Sequence, residues 1–447
     1  MKFNGAQYQH AFVRQRRDQW FLQEPRHQIT LLWFMATFVA YVERVGFSIA
    51  YTAMAKRANV SESVKGTVLS AFYWGYGVSQ VPGGFLAQRY GGRIMLTLSF
   101  LLWSTASLLT PTTAQNSRAI TAARVLVGVA QGFIIPSIHT MLSQWVPPHE
   151  RARAVSLTTS GMYLGSAAAM LALPAVAAMR GPGSLLRLNG ALGLTWLGTW
   201  MLVGRDIPHR ELMMPMSVGD AGRGNAARKG RQATTPWARM LRHPAVWAIV
   251  VNNFTFHYAF YVVMNWLPTY FDQVLKTNLS DLGWIRTAPY LVMFATSNLG
   301  AWLGDYLISM HKVSTAGARK TVNTLGFWGT AGALLLMPLA GNAAGGVAAT
   351  SLALGMAGVA RGGFSVNHMD IAPRHAGVFM GLSNTAGTVA GMVGVAVTGW
   401  MLEAAGADSL GGWWQAFATA SALCIAGSLL FLSSARGDRI FGGSDQF

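Results

Sequence analysis

LLWFMATFVAYVERVGFSIAYTAMA, from Leu31 to Ala55, is the stretch whose reading decides the fold class. It is predominantly apolar, and its only charges are Glu43 and Arg44 near its middle. About 20 consecutive apolar residues are enough for a helix to cross a bilayer core. A charged side chain there costs at least a few kcal/mol, so it persists where it faces a partner or a wet cavity. The stretch reads as a transmembrane helix with a cation fixed at mid-depth, and such a cation marks a site for something negative.

The rest of the chain agrees. Of 447 residues, 52% are hydrophobic and only 11% charged, where a soluble globular chain carries about 25%. Fifty glycines suit helices that pack closely in lipid. One cysteine, Cys424, excludes an intramolecular disulfide framework and a cysteine-rich metal site. The net charge of +18 does not point to nucleic acid, because the basic residues cluster in alternate loops.

About twelve apolar segments follow one another, near 28–55, 66–88, 94–112, 118–145, 152–179, 184–204, 244–271, 281–309, 319–340, 343–369, 375–402 and 412–435. The fold class expected is therefore an all-α membrane protein of twelve transmembrane helices. Residues 205–242 are rich in arginine and carry almost no apolar run, so they read as a cytosolic linker between two six-helix halves, 28–204 and 243–436. Residues 1–27 and 437–447 read as cytosolic tails. With both termini inside, the inner loops and tails hold about 23 Lys and Arg and the opposite loops about 7, the asymmetry that orients membrane proteins. The tail at 1–27 is polar and leads into a run long enough to span, so targeting is assigned to the first helix and not to a cleaved leader. The acceptor patterns at Asn59 and Asn278 fall in outer loops, whereas that at Asn253 lies inside a span.

Two halves suggest an internal repeat with the site at the midplane between them. The turns GGFLAQRYGGR (Gly83 to Arg93) and GAWLGDYLISMHK (Gly300 to Lys312) echo each other. Gly84, Arg89, Gly92, Arg93 and Asp305 are expected to make gating contacts there.

Longer motifs carry a family likeness: FYWGYGVSQVPGG (Phe72 to Gly84), ARVLVGVAQGFIIPSIHTMLSQWVPPHERAR (Ala123 to Arg153), TTSGMYLGSA (Thr158 to Ala167), NWLPTYF (Asn265 to Phe271) and GFSVNHMDIAPRHAGVFMGLSNTAGTVAGMVG (Gly363 to Gly394). With them the chain resembles the major facilitator superfamily, in the anion:cation symporter branch of sialin, the vesicular glutamate transporters and plant anion transporters. YVERVGFSIAYT (Tyr41 to Thr52) and VVNNFTFHYAFYVVMNWLPTYF (Val250 to Phe271) narrow the likeness to a plant and algal Golgi-type subgroup assigned to phosphate.

The resemblance implies a major facilitator fold whose helices 1, 4, 7 and 10 line a central cavity, and the ionisable residues fall on those helices. Arg44 offers a planar, permanently charged fork of donors suited to carboxylate or phosphate oxygens, and the family uses the arginine at this position for anions. Neighbouring residues on a helix do not face each other, so Glu43 and Arg44 are not expected to pair. Relatives among the glutamate transporters place an arginine on helix 7, where this chain has Phe256; Arg361 on helix 10 is expected to supply that second cation, or else to snorkel or form a salt bridge. Arg361, Phe364 and His368 share one helical face. Tyr76, His139, Asn367 and His368 complete the candidate substrate-binding set with Arg44 and Arg361; His368 reads as a substrate ligand, a proton carrier or a packed core residue. Gln131 stands where much of the wider family has a glutamate linked to proton coupling. Glu43, Arg124, Gln131 and His257 form the candidate ion-coupling set, with Gln131 two turns from Arg124 on its face.

No enzyme signature emerges. His368-Met369-Asp370 has neither metal nor nucleophile spacing, His139 and His149 cannot share a ligand face, and no Walker loop occurs. No cofactor or metal is expected. The expected function is secondary transport of a small anion, most simply inorganic phosphate, by a monomer in the Golgi membrane, with Na+ or H+ as coupling ion and lipid as its surroundings. An organic-anion transporter, an anion channel or a non-transporting sensor are the alternatives, and the plastid envelope or plasma membrane the alternative sites.

Overall fold

The computed structural model describes residues 25–60, 62–204, 235–277, 287–310, 313–405 and 409–441. Most of both tails, residues 205–234 of the expected linker, Arg286, Lys312 and the Asn278 acceptor pattern lie outside the described residues.

Every regular element among the described residues is helical. Six long helices precede residue 205: α1 (Pro25–Arg57), α2 (Glu62–Tyr90), α3 (Gly92–Leu109), α4 (Ser117–Trp145), α5 (Arg151–Arg180) and α6 (Gly183–Val203). Six follow residue 243: α7 (Pro244–Gln273), α8 (Ala288–Ser309), α9 (Thr315–Leu336), α10 (Ala343–Ile371), α11 (Ala376–Ala405) and α12 (Leu410–Ser434). Among the described residues nine of them are long and apolar enough to cross a membrane by composition; α2, α6 and α8 are of comparable length. The twelve fit the expected spans, and the protein is an integral, multi-pass membrane protein.

The helix ends have local causes. α9 starts at Thr315 and not near 319 because Ser314 caps it, its Oγ accepting the Gly317 N–H at 3.1 Å. Asn342 does the same for α10 through Gly345 at 2.8 Å. His243 caps α7, its Nδ1 accepting from Ala245 N at 3.2 Å. Burial and the nearby Arg436 hold His243 below the usual histidine pKa, which favours that acceptor role. Gly91, at φ 93°, makes the reversal between α2 and α3 in a region where a side chain would be strained. α4 breaks at Phe133 into Ser117–Gly132 and Ile134–Trp145. Pro136 has no N–H to give the Gly132 carbonyl, the i−4 partner it would otherwise serve.

Within the first half α2 packs on α4, α1 on α5 and α3 on α6; within the second, α8 and α9 pack on α10 and α7 on α11. The halves meet where α2 and the second segment of α4 touch α11, and where α5 touches α8 and α10. At Gly84 a Cβ would run into the backbone of Gly377 and Val378 on α11. This bare-backbone approach, typical of helices packed in lipid, brings the halves together over the site.

Candidate functional site

Glu43 is buried in α1 and does not pair with its neighbour. Its Oε1 accepts from Arg124 Nη1 at 2.5 Å and from Ser107 Oγ at 3.5 Å, and its Oε2 accepts from Gln131 Nε2 at 2.9 Å. The other end of the same amide, Gln131 Oε1, accepts from Arg44 Nε at 3.0 Å. Arg124, Glu43, Gln131 and Arg44 thus form one chain of hydrogen bonds between α1 and α4. The i, i+7 placement of Arg124 and Gln131 puts both within reach of a single carboxylate. Arg44 is half-buried, with its guanidinium over the rings of Tyr41, Phe72 and Tyr76 at 4.5, 4.6 and 4.4 Å. No carboxylate pairs with it among the described residues.

Arg361 stands across the interface on α10 and is only 7% exposed. Its Nη1 donates to Tyr163 Oη at 3.0 Å, its guanidinium lies 5.1 Å from the Phe256 ring centre, and its Nε is buried without a hydrogen-bond partner. It is buried instead of snorkelling, and no salt bridge holds it among the described residues. A small cavity of about 30 Å³, enough to hold water, lies between the halves. Arg361, Tyr41, Tyr76, Tyr163, His257 and Tyr261 line it, with Asn384 and apolar side chains. Arg44 is not in that lining; the Tyr41 and Tyr76 rings, which are, stand over it. Tyr76 accepts at its hydroxyl from Asn384 Nδ2 at 3.0 Å, joining α2 to α11. His257 bonds the Asn253 carbonyl through Nδ1 at 2.8 Å and presses on Gly387.

His139 and His368 meet each other instead of the cavity. His139 Nδ1 lies 2.9 Å from His368 Nε2, so one imidazole donates and the other accepts across the two halves. Phe364, on the same face as Arg361, packs on Phe256 and Phe327. Asn367 points elsewhere: its amide donates to the Arg436 carbonyl at 2.7 Å and to Asp370 at 3.5 Å.

The predicted gate residues divide. Gly84 and Asp305 lie between the halves. Asp305 is fully buried and accepts from the Arg153 backbone N–H at 2.9 Å, from Arg153 Nε at 3.4 Å and from Arg319 Nη1 at 3.5 Å. It therefore caps the start of α5 from α8, a favourable place for an anion. Arg319 also donates to Asp370 at 3.0 Å, and Arg151 to the Met369 carbonyl at 3.1 Å. Gly92 admits α4, where a Cβ would strike Met141. Arg89 is exposed over the Tyr90 ring, and Arg93 donates to the Met201 carbonyl at 3.4 Å.

Sequence reasoning missed Tyr163, Asn384, Tyr261 and the Gln88–His375 contact at 3.0 Å. Tyrosine and asparagine carry no mid-membrane charge penalty, so no signal singled them out. The pairing of Arg153 and Arg319 with Asp305, and of Arg319 with Asp370, depends on the fold and has no signal in the sequence. Among the described residues no cluster of three or more His, Cys, Asp or Glu could hold a metal ion.

The sequence profile of the Major Facilitator Superfamily matches residues 33–395. The chain belongs to that superfamily. It is 48% identical over 426 residues to "Probable anion transporter 6" of Oryza sativa subsp. japonica, covering 93% of this chain and 99% of that protein. In Arabidopsis thaliana it is 32% identical to "Sodium-dependent phosphate transport protein 1, chloroplastic", covering 94% and 81%, and 33% identical to "Ascorbate transporter, chloroplastic", covering 95% and 78%. The fold matches the transporter FucP in its outward conformation, with TM-score 0.70, 14% identity and coverage of 91% and 99%.

Proposed function

We propose that this member of the superfamily is a secondary active transporter that carries a small anion, inorganic phosphate in the first place, across an endomembrane by alternating access. The observation that carries the reading is the pair of arginines on opposite halves, Arg44 and Arg361. Neither is matched to a carboxylate, and tyrosine hydroxyls surround them. Binding between the halves and rocking about the bound anion would expose it to each face in turn. In this conformation one face is sealed by Gly84 against Gly377, by His139 on His368 and by the Asp305 cluster. A pocket of about 340 Å³ lined by Tyr73, Asn265 and Met392 shares Tyr261 and Thr388 with the central cavity and would serve as the approach from the other face.

A second reading keeps the transporter and makes its cargo an organic anion. Phe256, Phe260, Met162 and Met380 give the cavity an apolar wall, as a ring or carbon chain would need, and one relative is named an ascorbate transporter. We place the protein in the Golgi membrane on the subgroup likeness; co-localisation of a tagged chain with Golgi or plastid markers tests this.

The deciding experiment is uptake of labelled phosphate into proteoliposomes holding the wild type or Arg44→Ala, with and without pH and sodium gradients, and with ascorbate and other organic anions as competitors. Saturable phosphate uptake lost in Arg44→Ala supports the phosphate reading, and the gradient that accelerates it names the coupling ion. Uptake of labelled ascorbate without phosphate flux transfers the assignment to the second reading.

A further inference from the structure

The buried charges around the central cavity do not balance. Three guanidiniums stand there: Arg44, Arg124 and Arg361. Among the described residues the one carboxylate they meet is Glu43, and it is taken: Oε1 holds Arg124 and Ser107, and Oε2 holds Gln131. The other buried acids, Asp305 and Asp370, are engaged by Arg153 and Arg319 in the seal between the halves. Arg44 and Arg361 are left with neutral acceptors only, the Gln131 amide and the Tyr163 hydroxyl. One ring lies between them: Tyr41 stacks on Arg44 and lines the cavity together with Arg361. Arg361 is more than nine-tenths buried, lines the cavity and has an Nε–H with no acceptor.

Two cations without counter-charges in a low-dielectric interior are costly, and each needs a negative partner. A monoanion cancels one and leaves the other. We infer that the cargo of this site is a dianion, so that phosphate is taken as HPO4²⁻ and not as H2PO4⁻, and monocarboxylates are poor cargo. The inference rests on the reading of the site as an anion carrier.

Phosphate changes charge with pH, and so do groups of the protein. Those facing the arginines are Tyr41 and Glu43 on α1, Tyr76 on α2, Arg124 and His139 on α4, Tyr163 on α5, His257 and Tyr261 on α7, and His368 on α10, with Arg151 beyond it. Sulfate separates the two effects, because it keeps two charges across the range and reports protein titration alone.

The test uses the full chain in proteoliposomes with equal pH on both faces. The KM for total phosphate is measured from about pH 5.5 to about pH 7.5, where it should fall on the order of tenfold as the second phosphate ionisation proceeds. The sulfate KM, or its inhibition constant, should stay level. Lactate, a monoanion, should compete far less well than sulfate. Arg361→Gln should abolish the advantage of sulfate over lactate, and Arg361→Lys should keep it. Thermal stabilisation of the detergent-purified protein, larger for sulfate than for lactate, gives a readout that needs no flux. Saturable anion uptake with a phosphate KM that is flat or rises with pH, or with lactate and sulfate competing equally, overturns the dianion while leaving the carrier standing. Absence of any anion uptake together with absence of sulfate stabilisation overturns both.

Discussion

Arg44 donates its Nε–H to the Gln131 amide oxygen at 3.0 Å, while the amide nitrogen of the same Gln131 donates to Glu43. Gln131 therefore separates a guanidinium from the carboxylate next to it in sequence, and its amide can point only one way. A protonated glutamic acid could reproduce that pattern, with the O–H given to Glu43 and the C=O kept for Arg44. An ionised one would set two carboxylates face to face, where one must hold a proton. Gln131→Glu should thus keep phosphate uptake at acid pH and lose it as pH rises, the reverse of the gain with pH expected of the wild type. A pH profile identical to wild type would count against the relay.

The Arg124–Glu43 pair is nearly solvent-free, at 4% and 1% exposure. Removing one partner of such a pair leaves a buried charge and costs about 3–5 kcal/mol. Arg124→Leu should lower the melting temperature of the purified protein sharply. Arg124→Leu combined with Glu43→Gln should recover part of the loss, and an unchanged melting temperature in the single variant would sink the assignment.

A single proton joins His139 and His368, so a pair carrying two extra protons cannot keep the bond. His139→Leu removes that bond and should loosen the sealed face. Cys424 is fully buried, so a cysteine placed at the cavity-lining Met380 can be labelled against a quiet background. Met380→Cys should react faster with an impermeant thiol reagent in His139→Leu, by on the order of tenfold if the contact is worth about 1.4 kcal/mol. Equal rates would show that the histidines do not hold the seal.

Gly84 and Gly66 lie on the same helix and differ in what a side chain would meet. At Gly84 it would enter the α11 backbone; at Gly66 nothing stands within 4 Å. Gly84→Val should therefore block closure and reduce uptake by on the order of tenfold or more, with the protein still folded, since a barrier of about 1.4 kcal/mol suffices for each factor of ten. Gly66→Ala should transport as wild type. Matching uptake in both would remove Gly84 from the gate.

The reach of the sequence can be followed along α1 and α10. The apolar run from Leu31 to Ala55 with two charges inside it announces both a span and a site, because lipid penalises charge wherever it is not needed. The refusal of Glu43 to pair with Arg44 was equally legible, since adjacent side chains leave a helix in different directions. The i, i+7 relation of Arg124 and Gln131 placed them on one face but could not say that Glu43 was their common target. On α10 the same reasoning set Arg361, Phe364 and His368 on one face; the fold then divides them among the cavity, a phenylalanine cluster and the seal. One helical face seven residues long passes through several surroundings, and only its neighbours decide which residue meets which.

Composition and spacing determined what each helix could be: its length, its polarity and the rarity of charge within it. Those are properties of a segment in lipid and need no partner. Tertiary structure alone decided which charge neutralises which. That choice depends on distances of about 3 Å between residues 81 to 229 positions apart in the chain. Glu43 is matched to Arg124, and Arg44 and Arg361 are left without counter-charges, because packing of the helices brings one carboxylate within reach of Arg124 and leaves the other two guanidiniums with neutral acceptors.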